Sequence, residues 1–131
     1  MSLFLTTNLI VRYVSFNTAS SVSLSATSSP GSTIVSSPAV VDLNTLYVIV
    51  VGSVGLYNSG TAAVNETIQV FVDSNYTNVG VTTVPAGGYA QATVNYVFSN
   101  LALGGHTIGL AAYGGSLTAQ YAELTIIAVG Y

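Results

Sequence analysis

Few side chains in this 131-residue chain could do acid–base or metal chemistry. The charged residues and the histidine are Arg12, Asp42, Glu66, Asp73, His106 and Glu123. A catalytic triad needs a nucleophile, a base and an orienting acid, and a zinc site needs several His, Cys or acidic ligands. The chain has no cysteine, one histidine and neither a GxSxG nor an HExxH motif. We therefore predict that the protein is not an enzyme and holds no metal and no cofactor.

The nearest approach to a calcium site is the cluster of Asp73, Asn75 and Asn78. Calcium takes about six to eight oxygen ligands, several of them from carboxylates, and this cluster offers one carboxylate. Asp and Asn side chains also bond to their own backbone in turns, so the segment is predicted to turn rather than to bind a cation. His106 shares an alternating face with Ile108, which favours a structural role for the imidazole.

The low charge of the chain restricts its partners. Charged residues make up 4% of the sequence and hydrophobic residues 50%, whereas a soluble domain is about a quarter charged, and its charges keep copies apart. High hydrophobicity excludes disorder. A single arginine cannot neutralise a phosphate backbone, so nucleic acid is not expected to bind. The composition predicts self-association and contacts with other structural proteins of an assembly.

The scarcity of carboxylates also predicts acid tolerance. Acid unfolds proteins largely by protonating carboxylates that are paired in the native state, so stability should change little between about pH 7 and pH 2. Heat tolerance alone would favour networks of ion pairs, which this sequence cannot form. The composition is therefore typical of a protein exposed to an acidic exterior.

Neither a membrane span nor a cleaved leader is predicted. The longest apolar stretch, Leu46 to Leu56, is shorter than the roughly 20 residues of a spanning helix and is better explained as a buried strand. The segment from Met1 to Phe16 has no basic start, and Asn8 and Arg12 interrupt its apolar run. We expect such a protein to leave the cell inside a released particle, which makes the virion its predicted location and the cell surface the alternative.

Apolar and polar residues alternate with a period of two along most of the chain. The alternation is clearest at residues 21–27, 67–72, 89–98 and 106–112, and it is typical of half-buried antiparallel strands. Turn-forming clusters recur about every 8–12 residues, the spacing of a sandwich or barrel. No segment carries a helical stripe. The prediction is an all-β fold, a two-layer antiparallel β-sandwich of eight or nine strands with an extra N-terminal strand or arm.

The chain is predicted to be one structural unit in two parts. Residues 1–39 form the N-terminal strand or arm and a long Ser-rich loop, and residues 40–131 form the sandwich. The segment from Leu3 to Phe16 is apolar on both faces and must be covered on both. It is either a central strand of its own domain or an arm that a neighbouring subunit covers by strand addition. The residues predicted to form a subunit interface are Leu3, Phe4, Leu5, Leu9, Ile10, Val11, Arg12, Tyr76 and Tyr131.

Arg12 is expected to pair with Glu123 or Asp42, or alternatively with an acid of a neighbouring subunit. An exposed pair contributes only about 0–1 kcal/mol, so its main effect would be on strand register. Two N-glycosylation sequons are present, at Asn65 and at Asn75. The predicted turn makes Asn75 the more accessible of the two.

Four segments together resemble a known family: the strand over residues 54–62, the strand over residues 66–73, the turn at residues 84–88 and the segment at residues 103–108. In their turns and alternation they are similar to the CARDB-like, cell-adhesion-related immunoglobulin-type domains of prokaryotic surface proteins. The resemblance covers residues 48–129 and implies a seven-stranded, immunoglobulin-like sandwich without catalytic residues.

The composition as a whole resembles the structural proteins of viruses from hot, acidic archaeal habitats. This resemblance implies a non-enzymatic virion component such as a capsid, vertex, tail or decoration protein. Two other functions stay open. One is a subunit of a surface filament or S-layer, and the other is a module that binds a host glycan or receptor through loops such as residues 73–78 and 113–116.

Overall fold

Eight β-strands run through residues 8–131, which are the residues that the computed structural model describes. They are β1 (Ile10–Leu24), β2 (Ser32–Val41), β3 (Thr45–Tyr57), β4 (Val64–Val72), β5 (Asn75–Val84), β6 (Tyr89–Ser99), β7 (Gly104–Tyr113) and β8 (Leu117–Gly130). Within this range no helix is long and apolar enough to cross a membrane.

The strands form two four-stranded antiparallel sheets. The first sheet has the order β1-β8-β3-β6, and the second sheet has the order β2-β7-β4-β5. The predicted all-β, two-layer antiparallel sandwich is confirmed. Only β4 and β5 are both consecutive in sequence and paired in one sheet, so the other connections cross between the sheets. Eight strands arranged in this order form a jelly roll.

The jelly-roll order differs from the strand order that the family resemblance implies. An immunoglobulin core has seven strands, split four and three between its sheets, whereas this chain places four strands in each. Alternation and turn spacing are the same in both folds, because both are antiparallel sandwiches. Strand order depends on which distant strands pair, and a turn pattern does not encode that choice.

The Ser-rich region is more regular than predicted. The long loop expected after the first strand is limited to residues 25–31; the serines before it lie in β1 and those after it lie in β2. Pro38 lies within β2, which is possible because β2 is the edge strand of the second sheet, where a missing N–H breaks no ladder bond. β1 pairs with β8 along its whole length but lies at the edge of the first sheet, not at its centre.

The hydrophobic core lies between the two sheets and is built from the inward-facing half of each alternating strand. Its largest fully buried apolar side chains are Leu24, Leu56, Ile68, Ile108, Leu110, Leu124, Ile126, Val48, Val50 and Val54. Because alternation commits one side of each strand to this core, the other side forms an outer face. The two outer faces carry the functional argument.

Candidate assembly surface

The outer face of the first sheet carries a row of four apolar side chains that crosses all four strands. Val14 of β1 lies opposite Ile127 of β8, Ile127 lies opposite Ile49 of β3, and Ile49 lies opposite Val97 of β6. Val14 is 60% exposed and Val97 is 53% exposed. Ile49 and Ile127, in the middle of the row, are half-buried. The row therefore leaves apolar surface in water across the whole sheet, which is unfavourable in an isolated molecule.

Apolar residues also occupy most of the two adjacent rows. One row contains Val11, Val129, Tyr47 and Ser99, and the other contains Phe16, Thr125, Val51 and Asn95. We call the apolar residues of the three rows, together with Thr125, the apolar patch: Val11, Val129, Tyr47, Val14, Ile127, Ile49, Val97, Phe16, Thr125 and Val51. A contiguous apolar surface of this kind marks an interaction site.

The apolar patch contains no charged residue. Two charged residues border it: Arg12, which directly follows Val11 in β1, and Glu123 of β8, which shares the next row with Thr18, Ser53 and Thr93. The Tyr121 hydroxyl donates a hydrogen bond to the Glu123 carboxylate, and this bond raises the pKa of Tyr121. The sheet face therefore passes from an apolar half to a polar half along the strands.

A polar corner closes the end of the first sheet beside the patch. Arg12 Nη2 donates to Asp42 Oδ2 at 2.9 Å, and Nη1 donates to the backbone oxygen of Tyr131 at 2.6 Å. Hydrogen bonds from the Thr45 hydroxyl, from the Asn44 N–H and from Arg12 lower the pKa of Asp42. Arg12 thus pairs with one of the two acids that the sequence offered.

Side chains of β1 cover the free edge of β2, a feature that sequence reasoning missed. The Tyr13 hydroxyl accepts from the Val40 N–H at 2.9 Å and donates to the Val40 carbonyl at 3.0 Å. Ser15 and Ser37 bond through their hydroxyls at 2.6 Å, and Asn17 donates to the backbone of Ser36. Because the Tyr13 and Asn17 bonds occupy backbone groups of Val40 and Ser36, they hinder strand addition at that edge.

Part of the outer face of the second sheet is covered by the chain itself, although Val81 of β5 is 67% exposed there. Gln69 of β4 is buried and accepts from the Gly31 N–H at 2.9 Å, which fixes the 25–31 loop on the sheet. Its amide donates to Ser29 and to Asn78 at 3.0 and 2.9 Å. Tyr113 in turn receives a hydrogen bond from Asn78. We call this the Gln69 network, and it satisfies the side-chain amide of Gln69 within the chain.

Tyr76, a predicted interface residue, packs within this second face. Its ring lies 5.0 Å from that of Phe71, centroid to centroid, and it is half-buried. Gly109 makes this packing possible, because a Cβ at that position would lie 2.6 Å from the Phe71 ring. Tyr76 therefore has a partner inside its own chain.

The remaining predicted interface residues lie near the apolar patch or beyond the described range. Leu9 and Ile10 are exposed beside the first row of the patch, and Tyr131 is exposed at the corner with Arg12. Leu3, Phe4 and Leu5 lie outside the described residues.

The two predicted sequon asparagines are both exposed on the second sheet. Asn65 lies in β4 and accepts a hydrogen bond from the Thr83 hydroxyl at 2.7 Å. Asn75 begins β5, directly after the turn at Asp73 and Ser74. Both sequons therefore lie on the sheet that does not carry the patch.

His106 and Asp73 form a hydrogen-bonded pair that links β7 to the turn after β4. Asp73 Oδ2 lies 2.6 Å from His106 Nδ1, and Nε2 lies 2.6 Å from the Ala102 carbonyl oxygen. The hydrogen bond to the Ala102 carbonyl is the main cause of a raised pKa of His106, and the bond to Asp73 raises it further. The hydrogen bond with His106 is the main cause of a lowered pKa of Asp73, and the bond from the Thr107 N–H lowers it further. Both nitrogens of the imidazole are thus engaged with the protein's own groups.

The oxygen atoms of the suggested calcium cluster do not converge. Both oxygens of Asp73 bond to His106 and Thr107, while Asn78 bonds to the Gln69 network. Among residues 8–131, no group of three His, Cys, Asp or Glu side chains could hold a metal ion.

Glu66 is the one fully buried acid in the described part of the chain. Its Oε1 accepts from the Gly115 N–H at 3.0 Å, and its Oε2 has no partner there. Burial raises the pKa of Glu66, because a charge is costly away from water.

No protein-family model and no curated protein matches the sequence. Among solved structures, the chain is similar to the structure of infectious bursal disease virus, Gx strain. The TM-score is 0.52 at 13% identity, over 90% of this chain and 36% of that one. The infectious bursal disease virus VP2 subviral particle gives a TM-score of 0.49 at 14% identity, over 90% of this chain and 37% of the other. The chain spans little more than a third of those chains. At 13% identity, the likeness to the Gx strain structure shows a shared fold and no more.

Proposed function

We propose that this chain is a non-enzymatic structural protein that self-associates within a virion, as part of its capsid, vertex, tail or decoration. The observation that carries the proposal is the apolar patch, which is exposed, continuous over four strands and free of charge. The jelly roll is a fold of viral capsid domains, and the similarity to a virus structure supports the same reading. We assign the virus to an archaeal host in hot acid on composition alone.

The assembly would form through burial of apolar side chains. Removing the patch from water stabilises a contact, and a low net charge of −3 leaves little repulsion between copies. Other structural proteins of the same particle are further partners. The edge of β2 is covered by β1, so association uses a sheet face in preference to strand addition at that edge.

Electron microscopy of the protein purified from its source tests this function. The expected result is the protein at fixed positions on a particle that contains nucleic acid. A filament or lattice on cells would replace the virion role with that of a surface subunit. A monomer that stays dispersed at high concentration would overturn the proposal, because the patch would then have no partner.

Glycan binding is a second candidate, favoured by the polar half of the same sheet face. Tyr89 is 65% exposed and lies 4.7 Å from Tyr57, centroid to centroid. With Tyr121 and Gln91 it borders a groove whose floor is Gly55. Aromatic rings beside amide groups suit a ligand with both apolar and hydroxyl surfaces. Binding on a glycan array that is lost in Tyr89→Ala would support this function, and an array without binding would remove it.

A further inference from the structure

The outer face of the first sheet is large enough for a stable contact between proteins. It is four strands wide, and β3 is 13 residues long. With strands about 4.8 Å apart and a rise of about 3.4 Å per residue, the face measures roughly 19 by 44 Å, or about 800 Å². A stable interface of standard size buries about 800 Å² on each partner. The apolar patch meets β3 only at residues 47–51, so a contact of standard size has to extend from the patch over the adjoining polar rows.

The distribution of charge indicates which partner fits the face. The apolar patch is uncharged, and the one acid on the neighbouring row, Glu123, is bonded by Tyr121. Such a face meets a copy of itself without repulsion between like charges. The charged groups at its margins are already bonded within the chain, Glu123 by Tyr121 and Arg12 by Asp42, so they offer little with which to select a charged partner of another kind. Both arguments favour a second copy of this chain.

We propose that the first sheet packs face to face against the first sheet of a second copy, in a two-fold contact centred on Ile49 and Ile127. The inference deepens the structural function proposed above and rests on it. A two-fold contact uses the same patch on both subunits, so the row from Val14 to Val97 is buried at its middle. The polar residues of the next row, such as Thr18 and Ser53, then lie toward the rim, as in other protein interfaces.

Face-to-face packing is also compatible with the geometry of sheets. Two sheets stack about 10 Å apart with their strands roughly aligned, and the side chains of the facing surfaces interdigitate. The backbone of the first sheet is already paired within the chain, so this contact needs no change in strand pairing.

Cysteine cross-linking tests the contact directly, because the native chain has no cysteine. The variants Ile49→Cys and Ile127→Cys each place one thiol at the proposed centre. A bifunctional maleimide that spans about 10 Å, the separation of packed sheets, should join two copies. Val81→Cys is the matched control, since Val81 is exposed on the outer face of the second sheet. We expect the cross-linked fraction to be at least about ten-fold higher at the two central positions than at the control.

Several outcomes separate this inference from the proposed function. Central variants that keep the circular dichroism spectrum and melting curve of the parent but do not cross-link, while particles still form, overturn the two-fold contact and leave the structural role. If the central variants do not cross-link and the parent chain does not form particles, the two-fold contact and the structural role are both overturned. Cross-linking at Ile49 and Ile127 that appears only after removal of residues 1–7 would show that the chain's own terminus covers the face, and it would also overturn the contact.

Discussion

The two outer faces of this sandwich differ in what covers them. On the second sheet, the 25–31 loop is hydrogen-bonded to Gln69, and Tyr76 packs on Phe71. On the first sheet, the row from Val14 to Val97 is left open by the described chain. The chain covers part of one face with its own loop and side chains, while the described residues leave the apolar row of the other face open.

The difference shows how one alternating pattern can produce two kinds of surface. Both sheets bury one side of each strand in the same core. On their outer sides, the second sheet presents Gln, Asn and Ser side chains that bond to one another, whereas the first presents Val, Ile and Phe. Polar atoms that are satisfied internally gain little from a partner. Exposed apolar atoms gain from any contact that removes them from water.

The largest expected effect comes from a charge placed on the open face. Val14→Asp puts a carboxylate in the middle row of the apolar patch, and burial of an unpaired charge is strongly unfavourable. We expect self-association to be lost, with the dissociation constant raised at least about 100-fold. Sedimentation velocity over a range of concentrations measures this change.

Val81→Asp is the matched control for that variant. Both valines lie on edge strands, and they are 60% and 67% exposed. Because Val81 lies on the covered sheet, its substitution should leave association unchanged, and both variants should keep their unfolding free energy within about 0.5 kcal/mol of the parent. Equal losses of association in the two variants would contradict the difference between the faces.

The next effect comes from removing the cover of the second sheet. Gln69→Leu leaves the Gly31 N–H without its acceptor, and an unsatisfied buried donor costs about 1–3 kcal/mol. Urea denaturation should show that loss, and amide hydrogen exchange should rise over residues 25–31. Gln91→Leu, at an exposed position on the first sheet, should change stability by less than about 0.5 kcal/mol. A Gln69 variant as stable as the parent would mean that the loop is not held by this network.

A smaller effect is expected at the corner beside the patch. Arg12→Ala removes the bonds to Asp42 and to the backbone of Tyr131. An exposed pair contributes about 0–1 kcal/mol, so unfolding should change little while amide exchange rises at the start of β1. Arg12→Lys keeps the charge without the two-pronged geometry and should give an intermediate result. Unchanged exchange in both variants would show that the corner does not fix the end of β1.

The smallest effect is a shallow dependence of stability on pH. His106 has a raised pKa, so its contribution to stability is complete below its unfolded pKa of about 6.5. That contribution is lost as pH rises through its folded pKa. Asp42 and Asp73 have lowered pKa values, so their contribution to stability is present above the unfolded pKa of about 3.9. It is lost as pH falls through their folded pKa values. Glu66, with a raised pKa, loses its contribution as pH rises above about 4.3.

Together these shifts predict greatest stability near about pH 4, with a decline at higher pH as Glu66 and then, above about pH 6.5, His106 lose their contributions, and a further decline in strong acid. The sequence alone predicted an almost flat profile, and these four groups give it a direction. Thermal melts across this range measure the profile, and His106→Asn should weaken the decline on the neutral side. Stability that rises steadily from pH 5 to pH 8 would contradict the assignment.

Much of the architecture could be predicted from alternation and turn chemistry. The segment at residues 89–98 forms β6 nearly as its pattern indicates, and Asp73 adopts a left-handed φ of 53° at the predicted turn. Strand order could not be predicted, because pairing between β1 and β8 joins residues more than 90 positions apart. β2 was missed because its serines and Pro38 are typical of loops, although they suit an edge strand.

The candidate surface was predicted only in part. The segment from Leu3 to Phe16 is apolar on both sides of its strand, and this pattern indicated an interface near Leu9, Ile10 and Val11. The patch itself joins that strand to Ile127, Ile49 and Val97, which become neighbours only through the register of three strand pairs. No local signal in the sequence connects these positions.

Hydroxyl-radical footprinting of the assembled and dissociated protein, read out by mass spectrometry, tests the central claim most directly. The account predicts that assembly protects Val14, Phe16 and Val97 on the first sheet and leaves Val81 on the second sheet as reactive as before. Protection of Val81 with unchanged reactivity at Val14, Phe16 and Val97 would show that the covered face makes the contact, and it would contradict the account.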